Sequence, residues 1–133
     1  MNNIVIDASS IIAVILGEPE RKRLIELTAG CNLFAPSSLA CEIGNAFSAM
    51  FKKKRLGLRT VLTAIDAYEQ IPIQFKDIDL KLSLEIAHKT DIYAYDAYMI
   101  ACAVVHKARL LTLDKDLCGA AKRYNVDVLE VKI

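Results

Sequence analysis

Short continuous apolar runs alternate along the chain with longer stretches in which apolar residues recur at helical spacing. Ile4-Val5-Ile6 reads as a buried strand. Asp7-Ala8-Ser9-Ser10, residue types that open helices, precedes the apolar run Ile11 to Leu16. Gly17-Glu18-Pro19 breaks that helix, and Pro19 with Glu20 suits the first turn of another reaching about Ala29 and ended by Gly30. Leu33-Phe34-Ala35 is a second strand. Pro36-Ser37-Ser38 opens a long helix in which Leu39, Ile43, Phe47 and Met50 share a face, running through Lys52 to Arg55 and stopping at Gly57. A helix over Leu58 to Glu69 leads to a strand at Ile71 to Phe75 with Pro72 near its start, and a further helix covers Ile78 to His88. Ala94 to Lys107, apolar on nearly every face, predicts a central buried helix, with strands at Leu110-Leu111 and Val126 to Val131. Strands alternating with helices predict an α/β fold: a three-layer α/β/α sandwich around a mostly parallel five-stranded sheet, with ligands at the carboxyl ends of the strands.

The 133 residues suit one domain, expected over residues 1–133, that can bury its own core. A hydrophobic content of 54% with 5 Gly and 3 Pro excludes a disordered or collagen-like chain. The apolar runs fall well short of a membrane span, and the sequence before Asp7 does not resemble a signal peptide. Cys31, Cys41, Cys102 and Cys118 form no CxxC pair, so reduced thiols and a cytoplasmic location are expected. The net charge of +1 does not announce a nucleic-acid binder, so local distribution must decide.

Four carboxylates stand where a parallel sheet would gather them. Asp7 ends the first strand, Asp96 begins the buried helix, Asp114 follows the fourth strand, and Glu42 lies on the long helix. With Leu39 as zero at about 100° per residue, Glu42 falls near roughly 300°, bordering the stripe of Ile43, Phe47 and Met50. Gathered carboxylates repel and raise one another's pKa, which a divalent cation relieves. An all-oxygen set without His or Cys points to Mg²⁺ or Mn²⁺. Each acid also has a plain structural use, as a helix cap, a first-turn residue or a solvated group. Their conjunction is what argues for chemistry.

Val5-Ile6-Asp7-Ala8-Ser9, Glu42 with Asn45, Tyr95-Asp96-Ala97-Tyr98 and Leu111-Thr112-Leu113-Asp114-Lys115-Asp116-Leu117 together resemble the PIN-domain family, most closely its VapC-type toxins of toxin-antitoxin modules. The resemblance spans essentially the whole chain. It implies that Asp7, Glu42, Asp96 and Asp114 are the catalytic acids of an endoribonuclease using one or two Mg²⁺ or Mn²⁺ ions. Metal would be held by Asp7, Asp96 and Asp114, with Ser9 and Thr112 as supporting hydroxyls. It also implies a homodimer, and a small VapB-type antitoxin laid in an apolar groove near the acidic site. A housekeeping PIN nuclease without an antitoxin and a non-catalytic metal- or RNA-binding module of the same fold are the alternatives. Haloacid-dehalogenase-like phosphatases place a second Asp where this chain has Ser9, and phospho-receiver domains carry an acidic pair this chain lacks.

Lys52-Lys53-Lys54-Arg55, with Arg59 nearby, is the one dense basic cluster and a candidate RNA-backbone contact, unless it is simply a solvated helix end. Arg21-Lys22-Arg23 is a weaker candidate. His88 and His106 lack the acid and nucleophile that catalytic histidines need. Asp116 is read as capping or solvated, and Cys41 and Cys102 as core residues. Met50-Phe51 and the Tyr93, Tyr95, Tyr98 cluster suggest apolar surface left for association.

Overall fold

The computed structural model describes residues 2–132. In chain order the elements are β1 (Asn3–Ile6), α1 (Ala8–Ile15), α2 (Arg21–Thr28), β2 (Asn32–Pro36), α3 (Leu39–Lys52), α4 (Leu58–Glu69), β3 (Ile73–Lys76), α5 (Leu80–Thr90), α6 (Ala94–Val105), β4 (Arg109–Leu111), α7 (Lys115–Arg123) and β5 (Val128–Leu129). The strands form one parallel sheet in the order β3-β2-β1-β4-β5, with Val5 paired to Phe34 on one side and Leu110 on the other. Helices cover both faces, giving the expected α/β sandwich. Chain order runs outward from β1 toward β3 and, after a crossover, from β4 toward β5, so the topology switches between β1 and β4. At such a point the two connections leave in opposite directions and open a crevice at the strands' carboxyl ends.

Ile4, Val5, Leu110 and Leu111 are fully buried, as sheet positions covered on both faces must be. Helix α6 lies against β1, β2 and β4 and pairs with α5, burying Ala97 and the run Met99 to Ala103. Each such large side chain withdrawn from water contributes about 1.5–3 kcal/mol before entropy is counted. The stripe expected on α3 is present, with Leu39, Ile43 and Phe47 buried and Met50 packed against the core. Among the described residues no helix is long and apolar enough to cross a membrane.

Several boundaries differ from the sequence reading for local reasons. Asp79 caps α5 by accepting from the Leu82 N–H, so that helix begins at Leu80 rather than Ile78 and runs on to Thr90. Pro19 and Glu20 lie ahead of α2 rather than inside it. Helix α6 stops at Val105 because Lys107 takes a left-handed conformation (φ 50°), and its last turn faces solvent at Val104 and Val105. The strand expected over Val126 to Val131 is reduced to Val128 and Leu129. Val126 is spent closing the turn after α7 by donating to the Ala121 carbonyl, and Glu130 turns to Lys122 and Lys132. Cys102 is buried as expected. Cys41 is exposed, a correction that follows from its position about 200° from Leu39, opposite the apolar stripe.

Candidate active site

Chain direction places all four acids at one edge of the sheet. Asp7 follows the carboxyl end of β1 directly, and Asp114 lies three residues past β4. Glu42 is in the first turn of α3, which starts beyond β2, and Asp96 is in the first turn of α6, whose opposite end feeds β4. The edge is that of the β1/β4 switch point.

Asp7 is the most constrained of the four. It is 4% exposed and serves as N-cap of α1, its Oδ1 accepting the Ser10 N–H at 3.0 Å. The Ser9 hydroxyl donates to the same carboxylate at 2.9 Å, and the Thr112 hydroxyl donates to its Oδ2. Thr112 Oγ1 in turn accepts the Asp114 N–H at 3.0 Å, and Ser9 Oγ accepts the Leu113 N–H at 3.0 Å. Two hydroxyls thus stitch the end of β1 to the end of β4. Ser10, read from the sequence only as part of a helix start, adds a third link by donating its hydroxyl to the Leu111 carbonyl at 3.3 Å. Burial raises the Asp7 pKa, and the bonds from Thr112, Ser10 and Ser9 oppose that rise.

Asp114 caps α7, its Oδ1 accepting the N–H groups of Asp116 at 2.9 Å and Leu117 at 3.2 Å. Glu42 accepts the Ser38 hydroxyl at 3.3 Å. Burial pushes the Glu42 carboxyl up to about 8; the Ser38 bond pulls it down, and the charges of Asp7 and Asp96 push it further up. Burial likewise lifts Asp96 to about 6, with Asp114, Asp7 and Asp116 adding repulsion. These couplings join Asp7, Glu42, Asp96 and Asp114 electrostatically, and they bring in Asp116, set aside at the sequence level. Its spacing in Asp114-Lys115-Asp116, at the start of a helix, was the available signal.

Acidic oxygens crowded in a partly dry site, with no soft ligand among the four, make a donor set that suits a hard divalent cation. Among the described residues, no three His, Cys, Asp or Glu groups are arranged to hold such an ion. Asp7, Asp114 and Glu42 are each turned to protein donors. The basic cluster lies elsewhere. Lys52 to Arg55 are exposed at the far end of α3, and Lys52 is ten residues or about 15 Å of helix from Glu42. His106 packs against the Phe34 ring at 5.6 Å, at the end of α6 opposite Asp96.

The family described as PIN domain matches residues 4–123. No curated protein sequence matches the chain. Among solved structures, PAE2754 from Pyrobaculum aerophilum superposes with a TM-score of 0.70 at 18% identity, covering 90% of this chain and 79% of that one. VapC20 of Mycobacterium tuberculosis, described as a Sarcin-Ricin loop cleaving toxin, gives 0.63 at 15% identity, with 88% and 94% covered. VapBC2 from Rickettsia felis, solved bound to a DNA fragment from its promoter, gives 0.67 at 15% identity, with 96% and 97% covered. At these identities the likeness is one of fold.

Proposed function

This chain belongs to the PIN domain family, and on that premise we propose that it is a Mg²⁺- or Mn²⁺-dependent endoribonuclease, built as one catalytic unit, that acts as the toxin of a toxin-antitoxin pair. The observation that supports the proposal best is that Asp7, Glu42, Asp96 and Asp114 all lie at the carboxyl-end edge of the sheet, with Glu42 raised to about 8 and Asp96 to about 6, chiefly by burial. Burial is the largest cause of both rises and neighbouring carboxylates add to it, a combination that a bound cation would relieve.

In this reading Asp7, Asp96 and Asp114 would hold the metal. A bound ion would supply Lewis acidity toward the phosphoryl group and an acidified water. Asp7 is the fixed member, since Thr112, Ser9 and Ser10 hold its oxygens. Ser9 and Thr112 thereby act as positioning residues, as does Ser38 for Glu42. Glu42 orients the attacking water and takes up its proton as the water attacks phosphorus and the bond to the leaving ribose oxygen breaks. Lys52, Lys53, Lys54 and Arg55 extend the RNA contact through non-specific phosphate attraction. An antitoxin partner is part of this reading, in keeping with the fold shared with VapBC2 from Rickettsia felis and FitAcB from Neisseria gonorrhoeae, the latter at 17% identity and a TM-score of 0.63; a cytoplasmic location and a homodimer complete the proposal.

The test is incubation of the purified protein with total cellular RNA and Mn²⁺, mapping new 5′ ends by sequencing. Discrete ends that vanish with EDTA and with Asp96→Asn are expected. Identical ends from a folded Asp96→Asn protein would remove the acids from catalysis.

A further inference from the structure

Asp96 also lines a depression of about 380 Å³, walled in addition by Tyr93, Asp91, Asp116, Lys115 and Arg123. Tyr93 is the residue ahead of α6, one turn before Asp96, and is 90% exposed. That is unusual for a side chain of its size beside a buried core, because each exposed aromatic face forgoes burial worth on the order of 1–3 kcal/mol. Its neighbours are occupied differently. Tyr95 and Tyr98 pack edge to face at 6.1 Å, whereas the Tyr93 ring has no aromatic, cationic or hydrogen-bonding partner among the described residues.

The charges around the depression restrict what it admits. Asp91, Asp96 and Asp116 outnumber Lys115 and Arg123, and the Arg123 guanidinium is already committed to the Thr90 carbonyl at 3.0 Å. Lys115 makes no ion pair among the described residues and stands at the start of α7, on the shared wall between this depression and another that borders Asp114. A phosphate is repelled from the acidic floor and attracted to the Lys115 rim, while a flat neutral ring meets no such penalty on the Tyr93 face.

From this juxtaposition we infer that the depression is a nucleotide subsite in which Tyr93 stacks on one unpaired base of the RNA, while Lys115 contacts an adjoining phosphate and so sets the strand across the acids. The inference rests on the ribonuclease reading and adds to it a side chain that grips one unpaired base. In a duplex both base faces are already stacked and unavailable to the ring.

The experiment compares wild type, Tyr93→Ala and Tyr93→Phe by fluorescence anisotropy, using a fluorescein-labelled 12-nucleotide RNA, single-stranded or annealed to its complement, in Ca²⁺. Cleavage of the same RNAs in Mn²⁺ is scored in parallel. Loss of about tenfold in single-strand affinity for Tyr93→Ala, with Tyr93→Phe within about twofold of wild type and duplex binding unmoved, is the expected result. The proposal is overturned by an unchanged Tyr93→Ala affinity, by equal losses on single strand and duplex, or by wild type that does not bind the single strand. Cleavage separates the two claims. Wild-type cleavage with binding indifferent to Tyr93 removes the subsite alone. Tyr93-dependent single-strand binding, with cleavage of neither these oligonucleotides nor total cellular RNA, supports the subsite and counts against the nuclease.

Discussion

Replacing Glu42 with Gln should abolish a specific part of the protein's pH-dependent stability. In the folded protein, burial and the charges of Asp7 and Asp96 hold the Glu42 carboxyl near 8, against an ordinary 4.5 in the unfolded chain. Between those values the folded state keeps a proton that the unfolded state has released. The associated stability is therefore full below the unfolded pKa and is lost as pH rises through the folded one. For one such group the loss from pH 6 to 8 is about 2 kcal/mol. Glu42 is only partly buried, so solvent screening reduces this to about 1 kcal/mol, or about 4 °C in Tm for a domain of this size. Asp96, lifted only to about 6, gives up most of its share below that window. Gln is nearly isosteric and keeps an oxygen for the Ser38 hydroxyl. Urea melts in EDTA at pH 6, 7 and 8 should show Glu42→Gln gaining on wild type by about 1 kcal/mol across the range, while contributions from Asp7 and Asp96 remain in both proteins. A stability gap that does not change with pH would mean that the folded site leaves Glu42 in its ordinary range, and the argument from mutual repulsion would fail.

Asp96→Asn, nearly unchanged in volume, should leave the far-ultraviolet dichroism intact, raise stability at pH 7–8 relative to wild type in EDTA, and eliminate RNA cleavage. Thr112→Val leaves Asp7 short of a donor and the Asp114 N–H without its acceptor, costing about 1–3 kcal/mol in a denaturant melt; an unchanged midpoint would show that these bonds are replaced by water. Met99→Ala, at a fully buried position on α6, should cost about 2–5 kcal/mol by the same assay. The double change Lys53→Ala with Lys54→Ala should flatten the salt dependence of RNA binding without altering metal affinity, and an unaltered salt slope would return both lysines to the solvated surface.

The parallel character of the sheet, though not the order of its strands, was implicit in the chain, because parallel strands buried on both faces appear as short apolar runs such as Ile4-Val5-Ile6, and helices between them force crossovers. Edges were harder to read. At β5 the apolar residues Val126 to Val131 look like a strand, but the competing demand of closing the turn after α7 takes Val126 out of the ladder. Cys41 shows the limit of reading a neighbour's character onto a residue, since one helical step of 100° separates a half-buried Glu42 from an exposed thiol. The nearness of the four acids could be anticipated from their placement at strand ends and helix starts. Ser9 and Thr112 were expected beside them only through the family resemblance, and the bonds they make had no local signal. The Ser9, Thr112 and Asp7 linkage spans 105 positions, and the Asp116 influence on Asp96 depends on how α7 meets α6, a tertiary property with no local signature.

The central claim is that this acidic cluster exists to hold a divalent cation, and a calorimetric Mn²⁺ titration of wild type beside Asp96→Asn tests it without knowledge of the RNA target. The account predicts saturable binding by wild type, with protons released because Glu42 and Asp96 must ionise, and much weaker binding by the variant. Equal binding by the two proteins, or none by wild type at millimolar Mn²⁺, would contradict it.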